Sequence, residues 1–81
     1  MQYKEFVIKS EDGLRGKNAA LFVQAAGKFE SQVLIECGNK KVNAKSIMGV
    51  LSLGIKKGDT VYIIANGKDE NDAINSLENM L

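Results

Sequence analysis

At 81 residues the chain is too short to bury two separate cores, so residues 1–81 read as one compact domain with little surplus stability. Its 11 basic and 10 acidic side chains leave a net charge of +1 and are interspersed, which excludes the long basic surface of a nonspecific nucleic-acid binder. The lone cysteine, Cys37, rules out an internal disulfide, a thiolate-zinc cluster and a dithiol redox pair, and it fits a reducing, cytoplasmic setting.

Met1 to Lys9 lacks the apolar core of a signal peptide, and nowhere does the chain supply the roughly 20 apolar residues of a membrane span. Tyr3 to Lys9 begins as a strand, with Phe6 and Ile8 on one face and Val7 on the other, and Glu11, Asp12 and Gly13 interrupt it. Asn18 to Phe29 predicts a helix, because Ala19, Phe22, Val23, Ala26 and Phe29 recur at three- and four-residue intervals; Gly27 weakens its final turn.

Val33, Ile35 and Cys37 alternate with Leu34 and Glu36, and Gly38-Asn39 reverses the chain before Val42 and Ala44, giving a hairpin. Ser46 is placed to cap a short helix running through Ser52, and Gly54 favours its termination. Thr60 to Ala65 returns to strand character, with Val61, Ile63 and Ala65 on one face and Tyr62 and Ile64 on the other. Asp69, followed by Asp72, predicts the start of a last helix whose Ala73, Leu77 and Met80 or Leu81 cover the sheet.

The resulting order is β-α-β-β-α-β-α, an α+β pattern that supports an antiparallel or mixed sheet with its helices collected on one side. Spacing alone does not decide the strand pairing, and a ferredoxin-like arrangement competes.

The segment Lys40-Lys41-Val42-Asn43-Ala44-Lys45-Ser46-Ile47-Met48-Gly49-Val50-Leu51-Ser52-Leu53-Gly54 resembles the HPr family of bacterial phosphocarrier proteins. Ala19-Ala20-Leu21-Phe22-Val23-Gln24-Ala25-Ala26 and Gly67-Lys68-Asp69-Glu70-Asn71-Asp72-Ala73 extend that resemblance over nearly the whole chain. It implies an HPr-like open-faced β-sandwich, a four-stranded antiparallel sheet with three helices on one face.

In that family a Gly-Ile-His-Ala-Arg-Pro-Ala type motif presents the phosphate-accepting histidine. The matching residues are Gly13-Leu14-Arg15-Gly16-Lys17-Asn18-Ala19, and the chain contains no histidine at all. Arg15 stands at the acceptor position, Lys17 replaces the phosphate-contacting arginine and Asn18 replaces the proline. A cationic guanidinium has little nucleophilicity, so the histidine relay is expected to be absent. Arg15 and Lys17 remain candidate contacts for phosphate or a partner, although solvent-facing charge is the plainer reading of both.

The chain is similar in this respect to the Crh-like regulatory group, which also lacks the acceptor histidine. In Gram-positive relatives HPr kinase/phosphorylase modifies the serine that matches Ser46, and the phosphoserine form binds a LacI-type catabolite-control transcription regulator. The resemblance therefore implies a non-enzymatic regulatory protein, with Ser46 phosphorylated and Ile47, Met48 and Leu51 as a candidate apolar interface. Lys45 and Lys40 are further candidate phosphate contacts. Without the resemblance, Ser46 is simply a helix cap and the apolar residues are core. Two rivals stay open: a phosphocarrier homologue with unconventional chemistry at Arg15, and an interaction protein that works without phosphorylation.

Weaker signatures carry no site. Gly13, Gly16 and Gly27 do not form a nucleotide-binding loop, Glu11 and Asp12 do not face each other across a cleft, and Asp69, Glu70 and Asp72 lack calcium-loop spacing. Cys37 has no histidine partner, and Tyr3 and Tyr62 alone do not make a base-stacking platform. No catalytic residue, metal, cofactor, membrane contact or direct nucleic-acid contact is expected.

Overall fold

The computed structural model describes residues 1–81 and contains seven elements: β1 (Gln2–Val7), α1 (Gly16–Gly27), β2 (Gln32–Cys37), β3 (Lys40–Asn43), α2 (Ile47–Ser52), β4 (Thr60–Asn66) and α3 (Glu70–Glu78). The strands form one antiparallel sheet in the order β1-β4-β2-β3. Tyr3 lies opposite Ile64, Ile63 opposite Ile35, and Ile35 opposite Val42, so apolar positions align across neighbouring strands.

Alternation along the strands divides the sheet into two faces. Val33 and Ile35 of β2, with Val61, Ile63 and Ala65 of β4, point into the core and are fully buried. They meet Ala19, Phe22 and Ala26 of α1, Val50 of α2, and Ala73, Ile74 and Leu77 of α3. Each helix therefore buries one stripe on the same sheet face, and Phe22 is the largest fully buried side chain. The opposite face stays open: Tyr3 and Tyr62 stack there with centroids 5.2 Å apart. The Tyr62 hydroxyl donates to Glu5 Oε2 at 2.9 Å, and that bond holds its pKa above the usual tyrosine value.

Both ends of two expected elements shift. β1 stops at Val7 rather than Lys9, because Ile8 N–H leaves the β1–β4 ladder to bond Asp59 O at 2.9 Å, while Lys9 and Ser10 donate to Leu81 O. α1 begins at Gly16, two residues before Asn18, and ends at Gly27, with Lys28 and Phe29 continuing only as a turn. Phe29 is half-buried against the core from outside the helix.

Asp69 marks the start of α3 as expected, but its side chain works elsewhere. Its carboxylate makes no cap for that helix. It accepts instead from Glu30 N–H at 2.9 Å, Ser31 N–H at 3.0 Å and the Ser31 hydroxyl, tying the β4–α3 turn to the α1–β2 turn. Those bonds, the Ser31 hydroxyl first, hold its pKa below the ordinary carboxylate value. Glu70 supplies the local closure, its Oε1 accepting from Gly67 N–H at 3.1 Å and its Oε2 pairing with the terminal amine at 2.9 Å. Its pKa also lies low, chiefly through the Gly67 bond.

Candidate functional site

The first candidate region is the loop between β1 and α1. Leu14, 1% exposed, anchors it in the core, and its N–H donates to Ile55 O at 3.2 Å. Gly13 has φ of +62°, and a Cβ there would overlap the Ile55 carbonyl, so only glycine lets the two segments close. With Leu14 fixed, the next residue emerges into solvent: Arg15 has extended backbone at the start of α1, without a side-chain cap.

Arg15 Nε donates to Asp12 O at 3.3 Å. Asn18 fastens the loop from the helix side, its Nδ2 donating to Ser10 Oγ and Gly13 O, both at 3.2 Å. Asp12, Arg15, Gly16, Lys17 and Asn18 line an open hollow of about 380 Å³ that contains no hydrophobic residue. Arg15 and Lys17 thus share one polar surface and both are exposed. This surface can attract anions, and it offers no imidazole for a histidine relay.

The second region lies at α2. Asn43 closes the turn leading to it, with Oδ1 accepting from Lys45 N–H at 2.9 Å and its carbonyl from Ser46 N–H at 3.1 Å. Ser46 is the cap, its Oγ accepting from Gly49 N–H at 3.2 Å while its carbonyl accepts from Val50 N–H. The Ser46 hydroxyl donates to no group of the chain, and the residue is half-buried. Val50 is fully buried and Leu53 partly so, whereas Ile47, Met48 and Leu51 are 38%, 75% and 41% exposed. Three apolar side chains therefore stand beside the serine on the outside of the helix.

The two lysines expected near Ser46 do not gather at it. Lys45 follows the turn but sends its ammonium to Phe29 O, at 2.7 Å, where it satisfies a carbonyl just past the end of α1. Lys40 begins β3 opposite Cys37, and the length of the strand separates it from the turn at Asn43. α1 and α2 pack against each other, with Arg15 and Lys17 at the start of α1 and Lys45 reaching the carbonyl just past its end.

Asn18 and Gly49 carry local geometry that sequence reading did not assign. Asn18 gave no signal beyond its departure from the family motif. Gly49 gave one, a glycine inside a helix. Leu21, 44% exposed on α1, is a further apolar surface residue that helical periodicity left unassigned. Cys37 faces inward on β2, and burial, with help from Asp59 and against Lys56, pushes its pKa up and keeps it a thiol. No group of three or more His, Cys, Asp or Glu side chains is arranged to hold a metal ion, and no helix is long and apolar enough to cross a membrane.

Residues 2–81 match the family model described as the PTS HPr component phosphorylation site. The HPr-like protein Crh of Halalkalibacterium halodurans is 48% identical over 77 residues, covering 95% of this chain and 92% of that protein. The crystal structure of HPr-C-His from Thermoanaerobacter tengcongensis superposes with a TM-score of 0.95 at 50% identity, covering 99% of this chain and 90% of that one. The crystal structure of Crh from Bacillus subtilis, described as a dimer with a swapping domain, gives 0.77 at 44% identity over 99% of this chain and 92% of that one. Proteins of this kind are phosphocarriers or regulators rather than enzymes. With that match over almost its full length, and with arginine where the family's acceptor histidine would stand, the chain belongs to the HPr family and is an HPr/Crh-type protein.

Proposed function

We propose that this protein is a cytoplasmic regulatory partner rather than a phosphocarrier, that HPr kinase/phosphorylase phosphorylates Ser46, and that the phosphorylated form binds a LacI-type catabolite-control regulator. The observation that carries the reading is the Ser46 hydroxyl beside exposed Ile47, Met48 and Leu51, in a chain with no histidine. Phosphorylation adds roughly −1.5 to −2 charges at neutral pH, enough to take the net charge from +1 to slightly negative. The apolar trio supplies shape and buried area, and the phosphate supplies a charge that a basic partner surface recognises. Met48 suits this role because its flexible thioether adapts to the surface it meets.

Arg15 and Lys17, on their own polar surface at the start of α1, supply cations for an acidic or phosphorylated group on a partner. Lys45 and Lys40 have a smaller part, given the bond of the Lys45 ammonium to Phe29 O and the position of Lys40 at the far end of β3. DNA contact falls to the regulator, since the evenly spread charge of this chain offers no basic face. Incubation with HPr kinase/phosphorylase and ATP, followed by phosphosite mass spectrometry, is the direct test. One phosphate at Ser46, missing from Ser46→Ala, is expected; a folded chain left unmodified under conditions that modify a cognate HPr overturns the reading.

A further inference from the structure

Of the 8 glycines, six have positive φ and answer a backbone requirement. Gly27 closes α1, and a Cβ there would meet nothing within 4 Å. Gly49 differs from all of these. It sits inside α2 without a positive φ, where glycine only adds to the entropy lost on folding, and a Cβ there would lie 3.3 Å from Val42 Cβ and 3.4 Å from Ser46 Oγ.

Gly49 is also the third residue after the cap. Helices often place Glu or Gln there, reaching back to the N–H of the capping residue. Here the Ser46 N–H already donates to Asn43 O at 3.1 Å, so the turn closes without a side chain at 49. The second serine of the helix offers a contrast: the Ser52 hydroxyl donates to Gly49 O at 2.6 Å, committing its proton to the backbone, whereas Ser46 Oγ only accepts.

We propose that Gly49 is a specificity-determining position for phosphorylation at Ser46, because its missing side chain leaves open the space beside Oγ that the incoming phosphoryl group must enter. The proposal rests on the Ser46 reading above. In the transfer, Oγ attacks the terminal phosphorus of a nucleoside triphosphate and forms the new O–P bond. The P–O bond to the nucleoside diphosphate breaks, and the hydroxyl proton leaves to a base on the kinase. With one lone pair of Oγ engaged by Gly49 N–H, a Cβ at 49 would stand in van der Waals contact with the atom that must react, and a longer side chain would extend from that flank.

Gly49→Ala and Gly49→Gln test this with the kinase named above, alongside Val42→Ala/Gly49→Ala. Gly49→Gln is expected to lower the initial phosphorylation rate about tenfold or more, as small misplacements at a reacting atom do, and Gly49→Ala less. The Val42→Ala change relieves the contact with Val42 alone and is expected not to restore the rate. Docking is read separately, from Ser46→Ala and Ser46→Ala/Gly49→Gln as competitors of wild-type phosphorylation, and equal competition is expected. Wild-type rates in both single variants, full rescue by Val42→Ala, or loss of competition each overturn the proposal. A wild-type chain that is folded and never modified at Ser46 defeats the underlying reading, and this one with it.

Discussion

By resemblance to the family motif Arg15 stands at the acceptor position, and a protonated guanidinium offers no lone pair for a phosphoryl group. Supplied with phosphoenolpyruvate and the central phosphotransfer enzyme, the chain is expected to gain no acid-labile phosphate and to pass none to a sugar-specific acceptor. Radiolabel moving through it at a normal carrier rate contradicts this. Asp69 governs stability in a different way. Its pKa and that of Glu70 are depressed from ordinary values of 3.8 and 4.5, so their bonds contribute fully above those values and are lost as pH falls through the lower folded ones. In acid melts, Asp69→Asn is expected to lower Tm at neutral pH, with the gap to wild type narrowing as pH falls below the ordinary carboxylate range. A gap that does not narrow contradicts the assignment. Arg15 was legible as a departure from a motif. The role of Asp69 was not, because its partners Glu30 and Ser31 lie 39 and 38 positions away, and nothing local distinguishes a capping aspartate from one reaching across to another turn.

Among the elements, α2 is short and depends on its cap. Its six residues cannot persist on helix propensity alone, and Val50 is its only fully buried side chain. Ser46→Ala is expected to cost about 1 kcal/mol, or roughly 4–8 °C in Tm for a domain this small, measured by thermal circular dichroism. An unchanged Tm would mean that the Gly49–Ser46 bond contributes nothing. In the core, Phe22→Ala removes the largest fully buried side chain and is expected to cost about 3–5 kcal/mol in denaturant unfolding, where a cost under ~1 kcal/mol contradicts its place at the centre. The helical period of α1 and the alternation of β2 and β4 were legible because each stripe is buried on one side only. The ends were harder to read: Ile8 keeps an inward apolar position but gives its N–H to Asp59, and hydrophobic pattern does not encode where a ladder bond is exchanged for a turn bond. The Ser46 cap was legible from a serine before an apolar run, whereas the direction of the Lys45 side chain depended on Phe29 O, brought near only by packing.

For the molecule as a whole, the element order was readable from the chain, but the sheet order β1-β4-β2-β3 was not, since it depends on pairings between strands as distant as Gln2 and Ala65. Family resemblance supplied what periodicity left open between this sheet and a ferredoxin-like one. The assembled fold packs α1 against α2 and exposes Ile47, Met48 and Leu51 on the helix that Ser46 caps. The serine switch requires that Ser46 modification alter partner binding. Calorimetric titration of the LacI-type regulator with unmodified protein, stoichiometrically phosphorylated protein, and Ser46→Ala after attempted phosphorylation measures this most directly, with circular dichroism confirming that all three are folded. The phosphorylated form is expected to bind at least tenfold more tightly than the other two, a gain of about 1.4 kcal/mol; indistinguishable binding by all three contradicts the serine switch.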